Sequence, residues 1–142
     1  MPLPAIETTF YELGPIPHLC FGTERSLIDH RVHLDVALQG LTSDYLDSLA
    51  SRGRLSLDAV SSKIYVLRRV IVDVDSVGVF LEPISPFVAS KVLARMRTLQ
   101  PHELVHLFHR YMVLPFTRRM TSDVFEAYCH VTIELHFLPT SA

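Results

Sequence analysis

The feature that most limits the fold is one β-rich stretch set inside an otherwise helical pattern. Lys63-Ile64-Tyr65-Val66-Leu67-Arg68-Arg69-Val70-Ile71-Val72 is dense in β-branched residues. Such side chains lose rotamer freedom in a helix and pack well on a pleated surface. Asp73 to Ser76 is a polar turn, and Val77-Gly78-Val79-Phe80-Leu81-Glu82 returns. Pro83 closes the return, because proline cannot donate to a ladder. The stretch predicts one antiparallel β-hairpin.

The flanks read as helices. From Glu24 to Gln39, Leu27, Ile28, Val32, Leu34, Val36 and Leu38 fit an amphipathic helix that Gly40 stops. Thr42 or Ser43 caps a short second helix, with Asp44 and Asp47 suited to its positive end. Its inner side is Tyr45, Leu46 and Leu49, and Gly53 ends it. After the hairpin, Ser85-Pro86 is an N-cap followed by proline in the first turn. Phe87, Val88, Val92, Leu93, Met96 and Leu99 form that helix's apolar side. Pro101 opens another helix carrying Leu104, Val105, Leu107, Phe108 and Tyr111, and Pro115 ends it. Thr117 or Ser122 starts the last helix, with Val124, Phe125, Tyr128, Val131 and Ile133, and Pro139 stops it.

The expected class is therefore α+β, mostly helical: two N-terminal helices, one antiparallel hairpin, three C-terminal helices. Residues 1–22, with Pro2, Pro4, Pro15 and Pro17 and no clean period, predict an extended lead-in. Residues 23–135 are expected to form a single domain and 136–142 a tail. Phe10, Phe21, Phe80, Phe87 and Phe108 are expected in the core.

Composition bounds the partners. The 142 residues hold 13 Lys+Arg against 15 Asp+Glu, a formal charge of −2. That balance removes the bulk electrostatic argument for nucleic acid or an anionic membrane, leaving only local patches. A hydrophobic share of 49% with 20% charged residues excludes disorder over the whole length. The N-terminus lacks the basic and apolar regions of a secretory signal, and no run is long and apolar enough to span a bilayer. Cys20 and Cys129 are far apart and form no C-x-x-C, which predicts reduced thiols in an intracellular protein, cytoplasmic or nuclear.

Three chemistries are excluded outright. There is no Gly-Lys pair for a Walker A loop, no G-x-G-x-x-G, and no G-x-S-x-G. Each needs glycine where a side chain would block the ligand or the turn. What remains is His102-Glu103-Leu104-Val105-His106, a literal H-E-x-x-H. On a helix, residues i and i+4 share a face, so both imidazoles could hold one Zn²⁺ with Glu103 as general base. A gluzincin-like zinc peptidase also needs a third ligand, and Glu126 stands on the last predicted helix, with His109 and His130 nearby. Against this, Pro101 puts His102 in the first helical turn, where the positive helix end disfavours a cationic ring and packing holds a ligand poorly. The competing reading is a solvated His/Glu face opposite Leu104, Val105, Leu107 and Phe108, with no metal and no catalytic residue. Arg95, Arg97, Arg110, Arg118 and Arg119 make the C-terminal half locally basic, a candidate contact for nucleic acid or a protein partner, or simply solvated helix faces. Asp73 and Asp75 lack calcium-loop partners, and His30 and His33 lack metal-site partners.

Several blocks resemble a known group when taken in order. They are Gly14-Pro15-Ile16-Pro17-His18-Leu19-Cys20, Ser61-Ser62-Lys63-Ile64-Tyr65-Val66-Leu67-Arg68-Arg69, Glu82-Pro83-Ile84-Ser85-Pro86-Phe87-Val88-Ala89-Ser90-Lys91, Leu99-Gln100, Arg118-Arg119-Met120 and Val124-Phe125-Glu126-Ala127. Over roughly residues 14–135 the order resembles fungal, mostly basidiomycete, proteins related to Crinkler and retrotransposon-hot-spot proteins. Those are longer chains that look like a P-loop ATPase module followed by a restriction-type (PD-(D/E)XK-like) nuclease or other effector region. The resemblance implies that this chain corresponds to the region joining the two. Gly14 to Cys20 would match the G-x-x-P-R-x-C segment closing the ATPase, with His18 in place of the usual Arg. Val124-Phe125-Glu126 would match the start of the first nuclease helix, without the later D…(D/E)-x-K. The implied role is a non-catalytic lid, linker or interaction module with no cofactor, whose partner is the missing ATPase portion or another protein. The rivals are the zinc peptidase and a free-standing protein-binding module.

Overall fold

The structure, a computed structural model, describes residues 3–16, 19, 21–51 and 61–137. Pro17, His18, Cys20, Gly53 and Pro139, to which the sequence assigned roles, lie outside them. The order is α1 (Leu3–Leu13), α2 (Glu24–Gln39), α3 (Ser43–Ser51), a single turn α4 (Ser61–Ile64), β1 (Tyr65–Asp73), β2 (Ser76–Pro83), α5 (Pro86–Met96), α6 (Pro101–Val113), a 3₁₀ turn (Arg118–Met120) and α7 (Thr121–Phe137). The chain is α+β and mostly helical, with one antiparallel hairpin, as the pattern predicts.

The lead-in is the main departure: residues 3–13 are helical, not extended. Pro4 falls in the first turn, where a missing N–H removes no intrahelical bond. Leu13 is buried and α1 packs on α5. The helix stops at Gly14, whose φ of +85° is a left-handed conformation. Its N–H donates to the Phe10 carbonyl at 2.9 Å. A Cβ there would stand 2.8 Å from the Ile84 carbonyl oxygen, so glycine also allows α1 to close onto the chain leaving the hairpin. Ser85 completes this junction. Its hydroxyl donates to the Glu12 carbonyl at 2.7 Å and accepts from the Val88 N–H at 3.1 Å, capping α5.

The core runs through every long element. Leu27, Leu34 and Leu38 of α2, Leu46 and Leu49 of α3, Val88, Val92 and Met96 of α5, Leu104, Leu107 and Tyr111 of α6, and Val124, Ala127 and Val131 of α7 are buried together. Ile28, Val32 and Val36, expected on the inner side of α2, are exposed. At about 100° per residue they lie a third to half a turn from Leu27, Leu34 and Leu38, so one rigid helix cannot bury both sets. Three of the five phenylalanines also depart: Phe10 is 54% exposed, Phe21 is 76% exposed, and Phe80 is half-buried beneath the Arg119 guanidinium, outside the core, whereas Phe87 and Phe108 pack at the core's edge. Among the described residues, no helix is long and apolar enough to cross a membrane.

In the hairpin, Tyr65 pairs with Pro83, Leu67 with Leu81, Arg69 with Val79 and Ile71 with Val77, with an irregularity before Asp73. The base is anchored. Tyr65 and Leu81 are buried, the Ile84 N–H reaches the Ile64 carbonyl at 2.8 Å, and the Leu81 N–H reaches the Phe116 carbonyl at 2.8 Å. The far end is not. Ile71, Val72, Val74 and Val77 stand in solvent, Val74 at 93% exposure. The two-stranded ribbon therefore leaves the helical body as an arm.

Candidate functional site

The H-E-x-x-H stretch forms the first turns of α6, and each of its polar groups has a defined position. Pro101 is in the first turn and Glu103 at the third helical position. The Glu103 carboxylate accepts the Gln100 N–H at 2.8 Å, satisfying a donor that the helix itself cannot. His102 is exposed. His106 Nε2 lies 3.1 Å from Asp47 Oδ1, and Arg110 Nε donates to the same oxygen at 2.8 Å. Asp47 thus ties α3 to two successive positions on one face of α6, four residues apart. Glu126, the sequence's third ligand, faces Arg97 at 3.5 Å. His109 packs edge-on against Phe108, and His130 pairs with Glu134 at 2.9 Å within α7. Among the described residues, no group of three or more His, Cys, Asp or Glu side chains is placed to hold a metal ion.

The arginines do not share one face. Arg95 donates to the Gln39 carbonyl at 3.0 Å, at the C-terminal end of α2, where carbonyls lack helical partners. Arg97 and Arg110 have the partners just named. Arg119 pairs with Glu82 and stacks over the Phe80 ring, its guanidinium carbon 4.1 Å from the centroid. Arg118 is exposed.

The sequence reading missed the cluster at the hairpin's foot. Arg68 Nε also holds Glu82, at 2.9 Å, so one carboxylate lies between guanidinium groups from β1 and the 3₁₀ turn. The cavity beside them, about 530 Å³, is bordered by Ser85, Ala89 and Asp123. Asp123 is held above the usual aspartate range, first by burial and then by the neighbouring Glu126 charge. Tyr65 is fully buried and its hydroxyl has no hydrogen-bond partner among the described residues. Burial, Asp123 and Tyr45 together push that phenol far above its ordinary value. Tyr111, equally buried, does have a partner: its hydroxyl donates to the Leu46 carbonyl at 2.8 Å. The Arg68–Glu82 half was available from the register, since the two lie diagonally on one face of the hairpin. Arg119 and Asp123 arrive from beyond two further helices, and periodicity does not reveal that.

A second concavity, about 260 Å³, opens between α6 and α7 and is lined by Leu104, Val105, Phe108, His109, Val124, Phe125 and Tyr128. Its lining is apolar apart from the His109 ring and the Tyr128 hydroxyl, with no carboxylate or thiol among the lining residues. Compared with protein families, curated proteins and solved structures, the chain finds no match.

Proposed function

We propose that this chain is a non-catalytic interaction module whose hairpin arm docks on a partner protein. The carrying observation is the arm itself. Its base is bonded into the helical body, while its β-branched far end, Ile71, Val72, Val74 and Val77, is left in water. Exposed apolar area costs about 25 cal/mol per Å² relative to burial, so a protein partner that covers the arm gains from it. The placement of Glu103, His106 and Glu126 supports the same reading, since a helix cap, α3 and Arg97 account for them without a metal.

The resemblance to fungal ATPase–nuclease-like proteins supplies the class of partner: a P-loop ATPase module, in the same longer chain or in another subunit. The module would then act inside the cell, in cytoplasm or nucleus, as the joint through which the ATPase moves or orders an effector region. The rival zinc peptidase rests on His102 and His106 sharing one helix face, with Glu103 as base, Glu126 as third ligand and zinc as cofactor. Nucleic-acid contact through the arginines would compete with the present partners of Arg95, Arg97, Arg110 and Arg119.

The test is titration of the chain with the isolated ATPase module of a protein carrying these blocks. Binding that is lost in Ile71→Asp/Val77→Asp, with the helical circular dichroism unchanged, is the expected result. Binding that ignores the double variant, or no binding at high micromolar concentration, overturns the reading.

A further inference from the structure

We infer that the outer edge of β1 is an acceptor for an added strand, and that it selects an extended apolar segment carrying a carboxylate opposite Arg69. The inference rests on the arm reading above and names the chemistry of its partner. In an antiparallel pair, opposed residues alternate between those bonded to each other and those whose N–H and C=O point outward. The Leu81 N–H points outward, because it donates to Phe116 across the outer side of β2. Leu81 opposes Leu67, so Leu67, Arg69 and Ile71 are the outward-facing positions of β1. Their backbone groups have no hydrogen-bond partner among the described residues.

The two edges differ. The β2 edge is closed at its foot by Phe116, whereas β1 presents three successive outward positions. Open edges are templates for another strand, and β1 has no proline to block one.

Side chains on that edge define the guest. Leu67, Arg69 and Ile71 share a face with Leu81, Val79 and Val77, so Arg69 is a cation set in an apolar row. Arg69 is exposed and has no ion-pair partner among the described residues, unlike Arg68, which holds Glu82. A carboxylate directly across from Arg69 would pair with it, with apolar residues two positions to either side meeting Leu67 and Ile71. A second copy fits less well. Antiparallel pairing of β1 with β1 about its middle would bring two Arg69 guanidinium groups together, and like charges directly opposite are destabilising.

The probe is a synthetic peptide with the pattern Val-Thr-Glu-Thr-Val, against Val-Thr-Lys-Thr-Val and a backbone N-methylated Val-Thr-Glu-Thr-Val. Amide exchange at Leu67, Arg69 and Ile71 reports the added ladder, and the chain variants are Arg69→Glu and Ile71→Pro. Because the Ile71 N–H points outward, proline there removes no bond between β1 and β2. The expected result is saturable binding of the Glu peptide with slowed exchange at the three amides. Binding should weaken several-fold for the Lys peptide and vanish for the N-methylated peptide and for Ile71→Pro. Arg69→Glu should invert the preference. Equal binding of the Glu and Lys peptides, no protection of the three amides, or self-association of the chain that persists in Ile71→Pro each overturns the inference. If the ATPase module binds through the arm while no peptide does, the edge assignment fails and the module reading stands. If neither binds, both fail.

Discussion

Removing one oxygen from each of two buried tyrosines should move stability in opposite directions. Tyr65 and Tyr111 are both fully buried, and Tyr65 contributes to the upward shift of the Tyr111 phenol. The Tyr111 hydroxyl donates to Leu46 at 2.8 Å, while the Tyr65 hydroxyl has no partner among the described residues. A satisfied hydrogen bond contributes about 1 kcal/mol net, so Tyr111→Phe should destabilise by roughly that amount. An unsatisfied buried hydroxyl costs about 1–3 kcal/mol, so Tyr65→Phe should stabilise by about 1 kcal/mol or more. At about 2.1 cal/mol/K per residue over 142 residues, 1 kcal/mol corresponds to a Tm change of about 3 °C. Thermal unfolding followed by circular dichroism should therefore show Tyr65→Phe melting above the parent and Tyr111→Phe below it. If both variants melt lower by similar amounts, the Tyr65 hydroxyl holds a bond and the reasoning about this buried polar pair is wrong.

Gly14→Ala should lower Tm more than any surface change. The left-handed conformation alone costs about 1–2 kcal/mol, and the new Cβ meets the Ile84 carbonyl at 2.8 Å. Differential scanning calorimetry checks it, and an unchanged Tm would remove the tight α1 junction from the account. Asp123→Asn should stabilise the chain in a pH-dependent way. A carboxyl whose folded pKa is raised gives its full stability at low pH and loses it as pH rises, from the ordinary value of 3.8 through the raised one. Urea midpoints of parent and variant should therefore coincide in acid and separate at neutral pH, with the variant higher. A gap that instead widens in acid would reverse the sign assigned to Asp123. Glu103→Ala should cost about 1 kcal/mol by freeing the Gln100 N–H, with Glu103→Gln retaining most of the stability. Equal loss in both variants would mean that the carboxylate's charge, not its capping bond, matters.

The local grammar was legible. Ser85-Pro86 and Pro101 start helices, Gly40 follows the end of one, and β-branched density defines both strands, because each effect acts within a few residues. The capping role of Glu103 was equally open to reading, since Gln100 and Glu103 have capping-box spacing. Less legible was which of two apolar stripes a helix buries, as Ile28, Val32 and Val36 show. Periodicity marks a stripe but does not say whether a neighbour covers it. Prolines near the start hid α1, because Pro4 is harmless in a first turn. The partners of His106, Arg110 and Arg119 were beyond reach, since Asp47 and Glu82 meet them only after the helices have packed.

The reading of α6 as a capped, anchored helix rather than a metal centre is tested most directly by the zinc content of the purified chain. Elemental analysis, with and without chelator and alongside His106→Ala, is the measurement. The account predicts no stoichiometric zinc, no change in Tm on chelation, and at most about 1 kcal/mol lost in His106→Ala from its exposed pairing with Asp47. One zinc per chain that is lost in His106→Ala, with Tm falling on chelation, would contradict it and make the peptidase the better reading.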